Sequence, residues 1–474
     1  MSTVATVESN EEYEMHQASN LEFVPIKNDV WVGVAPSLEL ITTYVLKEQG
    51  DWFEDEIKFI RRLIRPGMRA VDIGANHGVY ALTLAKLVGP TGRVWAIEPD
   101  PVPMGRLRAS VKRNGLENIT LVEAGLSNRA GRASLFTSEQ SELNTLTPTA
   151  GSATREIDIK TLDGCAAELQ MSKIDFVKLD AEGEESRILE QAGEFLGSED
   201  PLLMFELKHG RQVNLPLIGQ FEELGYHCYR LVPGLDILVP YAASAGADDF
   251  LLNLFVCKDT RASKLEREGF LVMALDDADR AEEGDGNIWR ETVAELPYAK
   301  LLMKAWQEGV KEQGWERYEH ALNCCVRAHT AGLGARAKYL LLEDALQTLT
   351  DLFPDSMNFA RAQTLARVAW EMGLRATAVR ALEIMLNMYR DKQEIRLDEP
   401  FLPVCPRYDL LDPNGAVGRW LLSSILEQYE TLRAYSSFFV RPAIGNLEAM
   451  AKLGFQSPEM KSRLMVAQQR RLGG

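Results

Sequence analysis

Acidic and histidine side chains follow two apolar, strand-like segments in positions where they could move a proton. Asp180 and Glu182 end the first segment, in VKLDAEGEE, while Glu206 and His209 follow the second, in FELKHG. Carboxylates and imidazoles are the usual general bases for a hydroxyl group. Ligands of open α/β sheets bind outside the carboxyl ends of parallel strands, so we expect these side chains to converge. We predict that Asp180, Glu206 and His209 are catalytic and that Glu182 contacts the substrate.

The same four side chains have other interpretations. Glu182 lies beside Gly183, where a helix is expected to begin, so its charge could instead serve the helix N-terminus. Asp180, Glu182 and Glu206, with His209 as a fourth ligand, could hold a divalent metal ion. No tight ligand spacing such as HxxxH supports that arrangement, so a metal is the less favoured cofactor and no metal ligand is assigned.

A glycine-rich turn, VDIGANHGVYAL at residues 71–82, joins an apolar strand to an apolar helix. Such turns let a ligand approach backbone N–H groups closely. A dinucleotide loop, GxGxxG, needs glycine where its pyrophosphate passes, and this chain has Asn76 there. The amide side chain would crowd a pyrophosphate but could hydrogen-bond another ligand. The turn therefore favours a ligand without a pyrophosphate.

Glu98 ends the next strand, in VWAIEPD. A carboxylate offers two acceptors to the vicinal hydroxyls of a ribose. A ribose without a pyrophosphate indicates S-adenosylmethionine, whose positive sulfonium favours nearby carboxylates such as Asp72 and Asp180. Taken singly, Asp72 could be a loop cap and Glu98 an exposed strand end. Together, at this spacing, they favour the cofactor.

The motifs DIGANHG, AIEPDP, VEAGLSNRAG and VKLDAEGEE, in this order, resemble the FkbM family of S-adenosylmethionine-dependent methyltransferases. The resemblance covers about residues 50–256. It implies the class I, Rossmann-like methyltransferase fold with seven strands, and O-methylation of sugar or polyketide hydroxyls. By resemblance, the cofactor-binding residues are Asp72, Gly74, Asn76 and Gly78 in the first loop, Glu98 at the ribose, Ser127 near the adenine, and Glu54 or Glu56 at the methionine end, with Glu56 assigned. Asp180 is also assigned to the cofactor, on the charge of the sulfonium.

Two further residues are assigned to the substrate. His77 departs from the family pattern, since that position is more often small or aliphatic. We predict that it contacts the substrate, with an exposed loop histidine of no role as the alternative. Asn144, in SELNTL, lies in a long loop where the family places a polar residue; it could orient the acceptor or form an Asx turn.

The elements that must position these residues follow from periodicity. From Trp52 to about residue 258, short apolar strands alternate with amphipathic helices, which is typical of a mostly parallel sheet covered on both faces. Seven strands are predicted, and the last two have no helix between them, so we expect an antiparallel pair at the sheet edge. Lys178 shares the strand face of Asp180, which predicts a salt bridge.

The later half of the chain changes character. From Ala299 onward the spacing of apolar residues predicts helices. The segments at 332–346 and 373–386 both begin with Gly-Leu and continue as a leucine-rich helix, at an offset of 41 residues. Helical-hairpin repeats and two merely similar amphipathic helices are both open interpretations. We predict a disordered lead (1–20), a methyltransferase domain (21–258), a connecting segment (259–298) and an α-helical domain (299–474).

Composition limits the function classes. The net charge of −17 argues against a nucleic-acid partner. No apolar run approaches the roughly 20 residues of a membrane-spanning helix. The N-terminus lacks the pattern of a secretory signal, so a cytoplasmic location is expected. The six cysteines form no CxxC pair, which argues against a zinc site or disulfide framework.

The favoured function is thus O-methylation of a sugar, glycan or glycosylated metabolite, with the helical half binding the acceptor, capping the pocket or forming a homo-oligomer. One alternative is an interaction protein that uses its helical domain beside a vestigial methyltransferase core. Another is N- or C-methylation of a small metabolite; the lack of an NPPY or DPPY motif argues against base or glutamine methylation.

Overall fold

The computed structural model describes residues 21–138, 140, 153–209, 212–242, 248–275, 288–309, 311–440 and 444–473. These residues form two compact units. The first contains the described residues up to Tyr229, together with Leu252–Arg261. The second contains Arg230–Leu251 and the residues from Ala262 to Leu472. Within the described ranges, no helix is both long and apolar enough to cross a membrane.

The strands are short and mostly apolar. They are β1 (Glu22–Ile26), β2 (Val30–Val34), β3 (Arg69–Ile73), β4 (Arg93–Ile97), β5 (Ile119–Val122), β6 (Gly125–Leu126), β7 (Gly131–Thr137), β8 (Ala153–Lys160), β9 (Phe176–Leu179), β10 (Leu202–Glu206), β11 (Lys208–His209), β12 (Gln212–Val213), β13 (His227–Val232), β14 (Ile237–Pro240) and β15 (Asn253–Cys257).

Among the described residues, the largest sheet has eight strands in the order β14-β13-β15-β10-β9-β3-β4-β5. Strands β10, β9, β3, β4 and β5 pair in parallel, whereas β15 is antiparallel to both β10 and β13. Every residue of β9 and β15 is buried. Continuous apolar strands of this kind are expected where helices cover both faces of a sheet.

The helices of the first unit connect and cover these strands. They are α1 (Ile41–Gln49), α2 (Asp55–Leu63), α3 (Val79–Val88), α4 (Pro101–Asn114), α5 (Leu162–Glu168), α6 (Glu185–Leu189), α7 (Gly193–Ser198) and α8 (Pro216–Glu223). A further helix, α9 (Asp259–Arg267), begins in the first unit and ends in the second.

The second unit is helical. Its helices are α10 (Ile288–Ala294), α11 (Pro297–Glu308), α12 (Trp315–Ala328), α13 (Ala335–Ser356), α14 (Phe359–Glu371), α15 (Arg375–Arg390), α16 (Val417–Leu432), α17 (Ile444–Leu453) and α18 (Pro458–Gly473), with a 3₁₀ turn at Pro406–Asp409. Its core is built from large aromatic side chains, in which Tyr298 stacks on Trp420 with ring centroids 5.0 Å apart.

The seven strands expected from the sequence are all present, as β3, β4, β5, β9, β10, β13 and β15, and the closing pair is antiparallel. The sheet has one strand more than predicted, because β14 was not recognised. The sheet formed by β6, β7 and β8 was also missed. Strands β7 and β8 are largely exposed and polar, so they lack the apolar pattern that identified the others.

The repeated segments of the second unit begin in the same way. Gly332 and Gly373 both adopt positive φ, at 90° and 78°, and helices α13 and α15 start shortly after them. Their likeness therefore includes the glycine turn as well as the helix. Both interpretations of the repeat remain predictions.

Candidate active site

The glycine-rich turn leaves β3 and crosses the end of β9. The N–H groups of Gly74 and Ala75 both donate to the Ile97 carbonyl oxygen at 3.0 Å. Gly74 has φ of 77°, and a Cβ atom added there would lie 1.7 Å from the carbonyl oxygen of Asp180. Glycine is required at this position both by its φ and by the close approach of the two backbones.

Asp72, the last polar residue of β3, is almost fully buried, with an exposed fraction of 1%. Neither of its carboxylate oxygens accepts a hydrogen bond of ordinary geometry among the described residues, although the backbone N–H of Ala81 is near enough to lower its pKa slightly. Burial raises the pKa of Asp72 to about 6. A buried carboxylate that accepts few hydrogen bonds is costly to the folded protein. A cationic or hydrogen-bond-donating ligand would therefore stabilise Asp72.

Lys178 lies opposite Asp72 in the register of β3 and β9. Its ammonium is 2.7 Å from Asp180 Oδ2 and 3.9 Å from Asp72 Oδ1. The salt bridge predicted from strand parity is therefore confirmed. Although burial opposes the charge, these carboxylates and Glu54 keep the pKa of Lys178 above its usual value. One ammonium thus faces three carboxylates, which leaves an excess of negative charge.

The acidic segment before β3 reaches this group through Tyr80, whose hydroxyl donates to Glu54. The ring of Tyr80 also lies 5.2 Å from the Lys178 ammonium. Burial raises the pKa of Glu54, and burial together with Glu54 raises that of Glu56 to about 8. Of the two glutamates expected from the resemblance, Glu54 is the one whose carboxylate interacts electrostatically with Lys178 and Asp180.

Glu98 is buried behind the glycine turn. Its Oε2 accepts the backbone N–H of Asn76 and its Oε1 accepts that of Asp100, both at 2.8 Å. Burial raises the pKa of Glu98 to about 8, against the effect of these two donors. The expectation of an exposed strand end is wrong. Each oxygen retains a second lone pair, so the carboxylate can still accept from a diol.

The carboxylates after β9 and β10 form a second acidic group. Asp180, Glu185 and Glu206 each place an oxygen within 4.8 Å of the others. Burial, followed by repulsion from Asp180 and Glu182, raises the pKa of Glu206 well above its usual value. Carboxylate oxygens at this spacing suit a hard divalent cation, but the described residues provide no further indication of one.

Glu185 was not recognised from the sequence. The chain turns at Glu182, which has φ of 51°, and α6 begins at Glu185 rather than at Gly183. Glu185 Oε1 then accepts the N–H groups of Ala181 at 2.8 Å and Gly183 at 3.3 Å. This fold-back places Glu185, instead of Glu182, in the group with Asp180 and Glu206.

Two predicted residues cannot be placed in the site. The backbone of His209 ends β11, opposite Gln212 of β12, and its side chain lies outside the described part of the structure. Asn144 lies outside the described residues. Their assignments as catalytic and substrate-binding stay predictions.

His77 is buried, with 5% of its surface exposed, so the alternative of an exposed loop histidine is wrong. Its Nε2 lies 2.7 Å from Nη1 of Arg106 on α4, and a guanidinium can only donate, so the imidazole accepts. Burial and the neighbouring Arg106 charge lower the pKa of His77 to about 3. The imidazole is therefore neutral at physiological pH. Its contact with substrate stays a prediction.

Ser127 is also buried, and its hydroxyl donates to Glu184 Oε2 at 2.8 Å. Glu184 in turn accepts from Arg187 at 2.8 Å. The serine thus links β6 to the turn that precedes α6. Its predicted position near an adenine is not tested by this contact.

Comparison with known proteins agrees with the geometry. Residues 72–228 match the methyltransferase FkbM domain family. The resemblance inferred from the motifs is confirmed for this FkbM domain, which is shorter than the range of 50–256 expected from the motifs. The sheet order and the antiparallel β15 agree with the class I methyltransferase fold that the resemblance implied.

Shorter matches fall on two methyltransferases of other classes. The chain is 32% identical over 77 residues to ribosomal protein L11 methyltransferase of Chloroflexus aurantiacus, which covers 16% of this chain and 23% of that protein. It is 36% identical over 59 residues to protein-L-isoaspartate O-methyltransferase of Ignicoccus hospitalis, or 12% and 28% of the two chains. The chain thus spans about a quarter of the length of these relatives.

Among solved structures, methyltransferase FkbM from Methylobacillus flagellatus KT is similar at 20% identity, with a TM-score of 0.29, over 42% of this chain and 50% of that chain.

Proposed function

We propose that the first unit binds S-adenosylmethionine at the turn after β3 and transfers its methyl group to a hydroxyl of a sugar or glycan. The observation that carries this proposal is Asp72, a carboxylate that is 1% exposed, accepts no hydrogen bond of ordinary geometry among the described residues and lies 3.9 Å from the ammonium that it shares with Asp180. Together with Asp180 and Glu54 it outnumbers the Lys178 ammonium. Such an excess of buried negative charge is suited to a cationic ligand.

The residues present fit that cofactor. S-adenosylmethionine supplies, when bound, an electrophilic methyl group on a positively charged sulfur. Gly74 and Gly78 both adopt positive φ and let the turn pack closely against the Asp180 carbonyl and Leu107, which fixes the path of a backbone whose N–H groups a nucleoside can approach. The unused lone pairs of Glu98 accept the two hydroxyls of a ribose. Asp72 attracts the positive end of the ligand.

Glu206 is the favoured base for the acceptor hydroxyl. The carboxylate of Asp180 is already ion-paired with Lys178 at 2.7 Å, whereas Glu206 is partly buried and desolvation raises its pKa well above the usual value. A positive charge bound beside Glu206 lowers its pKa and favours its ionised form. The ionised carboxylate then accepts the hydroxyl proton as the oxygen attacks. Alignment of the two reactants supplies much of the remaining rate.

The sugar acceptor follows from the family resemblance and stays a prediction, as do the cytoplasmic location, the boundaries at 21–258 and 299–474, and oligomerisation through the C-terminal helices. The interaction-protein alternative requires a first unit that does not bind the cofactor. The intact set of Asp72, Gly74, Gly78 and Glu98 supports the enzyme.

The test is a methyl-transfer assay with the full chain, radiolabelled S-adenosylmethionine and a pool of cell glycans. We expect label in a glycan O-methyl ether, identified by mass spectrometry. Replacing Glu206→Gln should lower the rate at least about 100-fold, the usual contribution of a general base, with cofactor binding retained. Glu190→Gln, an exposed glutamate bonded to Asn128, is the matched control and should leave the rate unchanged.

Full activity of Glu206→Gln would overturn the base assignment. Cofactor binding by the wild type with no labelled glycan, but with labelled protein or small amine, would overturn the sugar acceptor alone.

A further inference from the structure

A separate group of side chains lies in the second unit and has no place in the proposed reaction. His320 and Cys324 are on α12, and Asp344 is on α13. His320 Nε2 lies 2.8 Å from Asp344 Oδ2, and Cys324 Sγ lies 3.6 Å from that nitrogen and 3.8 Å from that oxygen. One nitrogen, one sulfur and one oxygen therefore surround a single point.

Helix geometry explains the convergence. His320 and Cys324 are four residues apart, so they lie on the same face of α12, one turn apart. Helices α12 and α13 are consecutive, joined by residues 329–334, and pack against each other. Asp344 faces the pair from α13. Cys324 is buried while His320 and Asp344 are about half exposed, so the group is open to solvent on one side.

The separations suit a tetrahedral metal ion. Zinc bonds of about 2.3 Å to sulfur and about 2.0–2.2 Å to nitrogen and oxygen give ligand-to-ligand distances of roughly 3.3–3.6 Å. The two distances from Cys324 Sγ, 3.6 and 3.8 Å, are close to these values. Only the His320–Asp344 pair, at 2.8 Å, must open, by about half an ångström for a zinc ion.

The ligand types narrow the choice of metal. Imidazole, thiolate and carboxylate together are typical of zinc, whereas magnesium and calcium take oxygen ligands. We propose that His320, Cys324 and Asp344 bind one zinc-class divalent ion that links α12 to α13 and keeps a fourth position for water. On binding, the Cys324 thiol loses its proton to solvent and a metal–sulfur bond forms.

The proposal is independent of the methyl-transfer site and differs from what the cysteine spacing alone suggested. Without a metal, burial raises the pKa of Cys324 to about 12, so the thiol is protonated and only a weak hydrogen-bond donor. The His320–Asp344 pair would then be an ordinary surface ion pair, to which the sulfur adds little. The metal gives all three side chains a common partner.

The test is titration of the chelator-treated full chain with Co²⁺, followed by absorption spectroscopy. We expect one cobalt ion per chain with a thiolate-to-cobalt charge-transfer band, and competition by Zn²⁺. Cys324→Ser should remove the band, and His320→Ala or Asp344→Asn should weaken binding at least about 10-fold. A cobalt ion at Asp180, Glu185 and Glu206 has no thiolate ligand and would give no such band.

Matched controls are available on the same two helices and at the residue that follows α12. Cys325→Ser changes the adjacent buried cysteine, His329→Ala changes a histidine paired with Glu371, and Asp351→Asn changes an exposed aspartate of α13. All three should keep the band and the affinity. Absence of the band in the wild type, or its persistence in Cys324→Ser, would overturn the proposal.

A second readout does not depend on spectroscopy. One equivalent of Zn²⁺ should raise the melting temperature of the wild type, because an ion that binds only the folded chain stabilises it. The same addition should leave Cys324→Ser unchanged. An equal rise in both proteins would contradict a metal site at Cys324.

Discussion

The buried charges of Arg361 in the second unit and Asp72 in the first are paired to different degrees. In the second unit, Arg361 has an exposed fraction of 0%, and its guanidinium donates to both oxygens of Glu399 at 2.8 Å. It also donates to the carbonyl oxygens of Gln313 and Ser356. In the first unit, Asp72 is buried to nearly the same degree, yet its oxygens accept no hydrogen bond of ordinary geometry among the described residues and its ion-pair partner Lys178 lies 3.9 Å away.

The pKa values follow the same division. Burial alone would raise the pKa of Glu371 in the second unit, but the Arg367 guanidinium and His329 hold it below its usual value. Burial raises the pKa of Asp72 to about 6 and that of Glu98 to about 8. A fully paired buried charge serves the fold, whereas an incompletely paired one is expected where a ligand supplies the missing partner.

The largest expected effect is on stability. Arg361→Leu leaves the Glu399 carboxylate buried without its partner, so it should lower the unfolding free energy by about 3–5 kcal/mol. Chemical denaturation of the full chain measures it. As a control, Arg317→Leu removes a half-exposed pair with Asp351 and should cost less than about 0.5 kcal/mol. Equal losses for the two variants would contradict the structural role of the buried pair.

The opposite pattern is expected for Asp72. Asp72→Asn removes a buried charge that is only weakly paired, so stability should be unchanged or higher, while S-adenosylmethionine should bind roughly 10–100-fold more weakly. Isothermal calorimetry and denaturation measure the two effects. Asp175→Asn, at the other end of β9 and paired with Arg261, should lose stability and keep its affinity. If Asp72→Asn unfolds easily and still binds, the comparison fails.

Most strands of the first unit and its glycine-rich turn can be predicted from the sequence. The central strands are continuous apolar segments, and the turn has two glycines at a fixed spacing. The residues that were missed depend on contacts between distant segments. Tyr80 belongs to the site because its hydroxyl donates a hydrogen bond to Glu54, which lies 26 residues earlier in the chain. Glu185 enters the acidic group only because Glu182 adopts a left-handed conformation, which residue identity alone does not predict.

The second unit was less predictable. Its helices follow from periodicity, but Arg361 and Glu399 are 38 residues apart and pair through packing alone. The same holds for Asp344, which meets His320 and Cys324 from the next helix. Sequence spacing identifies ligands on one helix and does not identify those that a neighbouring helix contributes.

A smaller effect is expected from pH. Glu98 has a pKa of about 8 in the folded chain, against 4.5 ordinarily, so the folded state binds more protons between these values. The stability of the cofactor-free chain should therefore fall as pH rises from about 4.5 to 8. Glu98→Gln should remove about 3 kcal/mol of that fall, measured by denaturation at pH 5 and pH 8. An unchanged slope would show that Glu98 is ionised throughout.

The smallest effect is expected from His77. Because its pKa is about 3, the imidazole stays neutral from pH 5 to 8. His77→Gln should therefore leave the shape of the pH–rate profile unchanged, at a cost in stability of about 1 kcal/mol for the altered bond to Arg106. Loss of an ionisation between pH 5 and 8 in this variant would make His77 a proton carrier.

The central claim is that the incompletely paired carboxylates of the first unit bind S-adenosylmethionine, and calorimetric titration of the full chain tests it most directly. We predict one binding event per chain in the wild type, with affinity that rises from pH 5 to pH 8 as Asp72 and Glu98 ionise, and weaker binding by Glu98→Ala. Absence of binding by the wild type at both pH values would contradict the account.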